Sequence, residues 1–239
     1  MAATLAPPTD RRPRADPAPP PGFSPPAAAP TYLDADSAGS LMTGAEFDAV
    51  EDADPDFRYQ LIHGVVVVSR PPVRPHERLV DQFAYLLRKY QFEHPNGAAL
   101  DETLPGRYVR TDPDTRRQPD RAVWCGLARE PDEETDVPAI LIEIVSGSRR
   151  DRRRDYETKR AEYRAAGVRE YWIVDRFTDP APTLTVCFAD GAEKTVGPDE
   201  PYETPLLTGF AFRPADVLRP ARPAPGGAAP GGAAPGAGG

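Results

Sequence analysis

The chain has 239 residues, 39% hydrophobic and 28% charged, with two cysteines and a net charge of −8. That length supports one sizeable core. The acidic balance excludes a protein that coats nucleic acid through bulk charge, and two cysteines in apolar runs exclude a disulfide or zinc scaffold.

Residues 1–40 hold ten of the 31 prolines and residues 219–239 hold five, the latter in an Ala-Pro-Gly repeat. Both ends are expected to be disordered tails around one domain over residues 41–218. The N-terminal end lacks the apolar stretch of a secretory signal, and no run approaches the roughly 20 apolar residues of a membrane span. A cytoplasmic protein is expected.

A short helix is expected near Thr43–Val50, capped by Thr43. Two β-rich runs, Tyr59–Ile62 and Val65–Val68, flank His63-Gly64 and predict a hairpin. Leu79, Phe83, Leu86, Leu87 and Tyr90 fall at helical spacing between His76 and Tyr90, so an amphipathic helix follows. A strand is expected within Leu100–Tyr108, and Thr111–Gln118 reads as a polar loop. Further strands are predicted at Arg121–Cys125, Ala139–Val145, Tyr171–Val174 and Leu184–Phe188, with a helix over Asp155–Ala166 that ends at Gly167. The fold class is therefore α/β, a mixed sheet flanked by helices with an N-terminal hairpin.

The strand Ala-Ile-Leu-Ile-Glu-Ile-Val is apolar at every position but Glu143, a pattern of burial on both faces. An ionised carboxylate there costs several kcal/mol unless a cation or donors compensate it. Asp120, at the mouth of the preceding strand, could bring a second carboxylate to the same point, and an all-oxygen set suits Mg²⁺. Lys159, with Tyr156 and Tyr163 on its helical face, could approach that point and assist a water attacking a phosphodiester. The plainer reading of Glu143 is an ion pair with Arg121 or Arg169.

The blocks Tyr59-Gln60-Leu61-Ile62-His63-Gly64, Pro119-Asp120, Ile142–Ser146, Asp155 with Lys159 and Tyr163, and Ala166–Asp175 resemble the Uma-type restriction endonuclease family of the PD-(D/E)xK superfamily. The resemblance covers roughly Gly44–Leu218. It implies a restriction-endonuclease-like core and a metal-dependent endonuclease acting on DNA, with Asp120 and Glu143 as ligands of Mg²⁺ or Mn²⁺. Val145 stands where the superfamily has its usual lysine, and Lys159 resembles the replacement. His76 matches a histidine at the start of the family's first long helix. Gln60 stands where the family commonly has a glutamate, and His63 where it has an aspartate. Gln60 is therefore a candidate site residue without a charge. The alternative is a catalytically weakened nuclease-fold module that binds nucleic acid or a protein partner. Many nucleases of the superfamily dimerise, so a homodimer is an expectation.

From Arg149 to Arg160 there are seven basic and three acidic residues, a net of +4. Arg149, Arg150, Arg152, Arg153 and Arg154 could contact phosphates, because positive charge at a helix start does not serve the helix dipole. Equally, the run could be a solvated turn paired with Asp151, Asp155 and Glu157.

Overall fold

A computed structural model describes residues 30–71, 74–145, 152–178 and 181–218. Strand β1 (Tyr32–Leu33) runs parallel to β2 (Asp52–Ala53), and between them lies α1 (Gly44–Asp48). Thr43 caps that helix as expected: its hydroxyl accepts from the Glu46 amide, while the Glu46 carboxylate accepts from the Thr43 amide. Residues 30–40, grouped by composition with the tail, include a buried Leu33 that packs with Met42, Phe47 and Tyr59. One leucine here outweighs the polar composition around it, so ordered structure begins before Leu41. Residues 1–29 and 219–239 of the expected tails lie outside the described residues.

The hairpin consists of β3 (Arg58–Ile62) and β4 (Val65–Ser69), with His63 at φ 49° and Gly64 at φ 77°. Positive φ at both turn residues matches the twist of the strands, and glycine accepts it without a Cβ penalty. A Cβ on Gly64 would meet only the Met42 carbonyl, at 3.4 Å, so the cost of adding one is conformational. Gly64→Ala should therefore lower stability by about 1–2 kcal/mol, read as a lower urea midpoint. An unchanged midpoint would contradict this account of the turn.

Helix α2 (Arg74–Glu93) buries Leu79, Phe83, Leu87 and Tyr90, the face expected from their spacing. After β5 (Leu100–Pro105) the expected polar loop is instead two strands, β6 (Val109–Asp112) and β7 (Thr115–Arg117). Their polarity is deceptive because Arg116 and Arg117 are buried in bidentate pairs. Arg116 holds Asp48 at 2.9 and 2.8 Å, and Arg117 holds Glu162 at 2.5 and 2.7 Å. These four strands form one sheet in the order β4-β3-β7-β6.

The larger sheet adds β8 (Arg121–Cys125), β9 (Ile140–Ile144), β10 (Glu170–Asp175), β11 (Thr183–Phe188) and β12 (Glu193–Val196) to β5. Its order is β12-β11-β10-β9-β8-β5, with β9 and β10 parallel and the other pairs antiparallel. The crossover from β9 to β10 carries a π-helical turn, Arg154–Lys159, that runs into α3 (Arg160–Ala165). Gly167 at φ 94° follows that helix, as its position predicts. A short pair, β13 (Tyr202–Glu203) and β14 (Ala211–Phe212), and α4 (Pro214–Leu218) close the domain.

Alternation along β9 fixes the layers. Ile140, Ile142 and Ile144 pack in the core that includes α2, whereas Leu141 and Val145 pack in the core that includes Tyr163 of α3. Glu143, in step with Leu141 and Val145, therefore points to the α3 side. Cys125 and Cys187 are free and buried. No described helix is long and apolar enough to cross a membrane.

Candidate active site

The register of the sheet brings the two expected carboxylates together. Arg121 pairs with Ile142 and Ala122 with Leu141, so one step further along the same register Asp120 stands opposite Glu143. Side chains directly opposite across antiparallel strands share a face, with Cβ atoms about 4.5–5.5 Å apart. Both are buried, Asp120 at 7% exposure and Glu143 at 4%.

Asp120 is held through one oxygen. Its Oδ2 accepts the Ile144 amide at 2.8 Å and lies 2.9 Å from His76 Nε2, which is also 3.2 Å from the Ile144 carbonyl. Burial alone would raise the Asp120 carboxyl, but the His76 hydrogen bond and charge, the Ile144 amide and the Lys159 ammonium hold it below its usual value. Burial likewise opposes a charged His76, and the hydrogen bond and charge of Asp120 with the charge of Glu143 overcome it, raising the imidazole. His76 lies in the first turn of α2, and that position brings its ring to Asp120 at the mouth of β8.

Glu143 is held through its Oε1, which accepts from Lys159 Nζ at 2.7 Å and from the Tyr163 hydroxyl at 3.2 Å. The ammonium also lies 3.0 Å from Asp155 Oδ1. Asp155, Lys159 and Tyr163 are four residues apart in turn, which sets them along one helical face. The alternative reading, an ion pair of Glu143 with Arg121 or Arg169, is not what forms: Arg121 donates to Thr103 Oγ1 at 3.1 Å and Arg169 to the Cys125 carbonyl at 3.0 Å. Arg121 is one residue out of step with Asp120 and serves the other face of the sheet. Burial pushes the Glu143 carboxyl up to about 7, aided by the charges of Asp120 and Asp155 and opposed by Lys159. Burial would lower the Lys159 ammonium, yet Glu143 and Asp155 hold it above its usual value.

Gln60 does not touch either carboxylate. Its Oε1 accepts the Gln118 amide at 3.2 Å, two residues before Asp120. Arg58, two positions earlier and so on the same face of β3, is the residue that approaches, with Nη1 3.6 Å from Asp120 Oδ1. A cavity of about 390 Å³ opens here, bounded by Arg58, Glu77, Asp81 and Asp120 and by the apolar Val80 and Pro105.

Of the arginine run, Arg149 and Arg150 lie outside the described residues. Arg152 pairs with Asp175 at 2.9 Å, Arg153 with Glu157 at 3.1 Å and Arg154 with Asp155 at 3.4 Å. Each thus has a carboxylate neighbour, the arrangement of the plainer reading, while Arg153 at 79% side-chain exposure remains open to solvent.

The donor set can be tested for a metal. Among the described residues no group of three or more His, Cys, Asp or Glu is arranged to hold an ion. Two facing carboxylates remain, with no cysteine or histidine ligand set. Mg²⁺ is commonly bound through one or two carboxylates with water filling its other positions, so the residues present fit a hard divalent cation and not zinc.

A mixed sheet whose central strands bring two acids together, with a lysine from the following helix against one of them, defines a restriction-endonuclease-like α/β fold. The chain belongs to the Uma2 family, described as "Putative restriction endonuclease", which matches residues 45–213. The fold is also similar to a solved structure from Anabaena variabilis described as a "putative nuclease belonging to DUF820". That similarity has a TM-score of 0.58 at 15% identity, over 74% of this chain and 97% of the other. No curated protein matches the chain in sequence.

Proposed function

We propose that this chain is a divalent-metal-dependent endodeoxyribonuclease acting on DNA in the cytoplasm, with a homodimer as its expected assembly. What supports the reading is a pair of buried carboxylates at neighbouring strands, Asp120 just before β8 and Glu143 in β9, with the Lys159 ammonium 2.7 Å from the latter. Asp120 and Glu143 would hold Mg²⁺ or Mn²⁺. When bound, such an ion supplies Lewis-acid polarisation of the phosphodiester and makes an attacking water more acidic.

The chain's own residues prepare this chemistry. His76 and the Ile144 amide secure Asp120 Oδ2, which leaves Oδ1 directed to the cavity side where Arg58 lies. Lys159 and Tyr163 fix Glu143 through Oε1. Lys159 can also place positive charge beside the phosphate as negative charge grows there. Gln60 serves through the Gln118 backbone, so a neutral amide at that position is compatible with activity. The exposed Arg153 is a candidate for distant phosphate contact, together with Arg149 and Arg150.

The test is incubation of plasmid with purified protein and Mg²⁺ or Mn²⁺, beside Glu143→Ala and Gln60→Glu. The wild type is expected to cleave, Glu143→Ala to lose more than about 100-fold, and Gln60→Glu to stay close to wild type because glutamate still accepts the Gln118 amide. Cleavage that emerges only in Gln60→Glu would support the catalytically weakened module instead. Equal behaviour of all three proteins would remove the assignment.

A further inference from the structure

Arg58 is the one basic side chain among the described residues that bound the cavity beside Asp120, where Glu77, Asp81 and Asp120 are all acidic. Its guanidinium plane is set by a single residue: Nε donates to Gln118 Oε1 at 2.8 Å and Nη2 to the Gln118 carbonyl at 3.4 Å. Gln118 is itself fixed at two points, its amide on Gln60 Oε1 at 3.2 Å and its Nε2 on the Gly106 carbonyl at 2.7 Å. The Nη1 edge donates to no described residue and stops 3.6 Å from Asp120 Oδ1.

Two buried arginines of this protein show what a fully closed arginine–carboxylate pair looks like here. Arg116 grips Asp48 with two bonds of 2.9 and 2.8 Å, and Arg117 grips Glu162 with two of 2.5 and 2.7 Å. An arginine whose task was to neutralise Asp120 would be expected to form the same fork. Arg58, held by Gln118, instead stands at the long end of ion-pair range from Asp120, at the edge of the cavity that both residues line.

We propose that Arg58 is the phosphate-binding residue of this cavity. Its Nη1 edge receives a non-bridging oxygen of the DNA phosphodiester next to Asp120, while Gln118 and Gln60 are positioning residues that hold the guanidinium plane. The inference rests on the nuclease reading and deepens it. It also gives Gln60 a task that needs an acceptor and no charge. The acidic remainder of the lining repels a free anion, so phosphate binding here depends on Arg58 together with a divalent cation.

The experiment measures binding of a fluorescein-labelled 20-base-pair DNA duplex by anisotropy in Ca²⁺ at several salt concentrations, for wild type, Arg58→Ala and Arg58→Lys. Urea unfolding of each protein is measured in parallel. Arg58→Ala is expected to weaken binding about tenfold or more, and to make the plot of log K against log salt shallower by about 0.9, the value for one phosphate contact. Arg58→Lys is expected to keep the wild-type slope while binding more weakly, because the charge stays and the fork is lost. An Arg58→Ala protein that binds with the wild-type slope, whatever its affinity, overturns the proposal and leaves the nuclease reading standing. A wild type that neither binds the duplex nor cuts plasmid overturns both.

Discussion

Lys159→Met is expected to cost about 3–5 kcal/mol of stability at pH 8, the usual penalty for leaving a buried ion pair without one partner. The ammonium sits 2.7 Å from Glu143 and 3.0 Å from Asp155, with all three side chains almost fully buried. Its removal strands two carboxylates beside a third, Asp120. The pH dependence has a definite sign. With the lysine present, Glu143 is already raised from 4.5 to about 7. A carboxyl raised on folding favours the folded state when protonated, so its contribution is present below the unfolded value and is lost as pH climbs through the folded one. In the variant the lowering influence of Lys159 is gone, and the loss at pH 8 should shrink at pH 6. Asp48, held below its usual value chiefly by the Arg116 hydrogen bond, stays ionised at pH 6 in both proteins. Urea unfolding in EDTA at both pH values measures the effect, EDTA preventing a cation from replacing the ammonium. A loss under about 1 kcal/mol at pH 8, the scale of a surface pair, or an equal loss at both pH values, would show that Lys159 does not hold this cluster together.

What could be seen in the sequence, and what could not, divides along range. Strands β8 and β9 were legible because continuous apolar runs report burial directly, and Glu143 stood out as the one charge in such a run. Lys159 was legible because a helix repeats its face every three to four residues. Arg116 and Arg117 were not, since the acids that allow their burial lie 68 and 45 residues away in sequence. Polarity counted locally therefore turned two strands into a loop. Arg58 shares a face with Gln60 by strict alternation, and that period alone would have nominated it once Gln60 was a candidate. The π-helical turn has no separate signature, because the same side chains suit an α-helix. Arg152 looked free for phosphate, but Asp175, which it meets, is 23 residues further on.

Glu170→Ala is expected to destabilise the protein by about 3 kcal/mol or more, since it strands three buried donors at about 1–3 kcal/mol each. Glu170 lies at the start of β10, 2% exposed. Its Oε2 accepts from Trp172 Nε1 at 2.7 Å and from the Tyr202 hydroxyl at 2.9 Å, and its Oε1 accepts from Thr204 Oγ1 at 2.9 Å. These bonds tie the central sheet to the segment around β13, where Phe210 and Phe212 pack on Trp172 at ring separations of 6.3 and 5.3 Å. The contrast with Glu143 is chemical. Both are buried acids on neighbouring parallel strands, but Glu170 meets three neutral donors, whereas Glu143 faces a lysine and lies opposite a second acid. A lone acid in an apolar strand is thus compatible with a purely neutral set of donors, and the gathering of charged groups is what separates Glu143 from Glu170. The melting temperature of Glu170→Ala should fall by about 6–12 °C, at 2–4 °C for each kcal/mol in a chain of this size. Cleavage by the folded fraction at low temperature should stay within a few-fold of wild type. A melting temperature within about 2 °C of wild type would mean that the three donors find other partners, and a lost activity in a well-folded variant would place Glu170 in the chemistry after all.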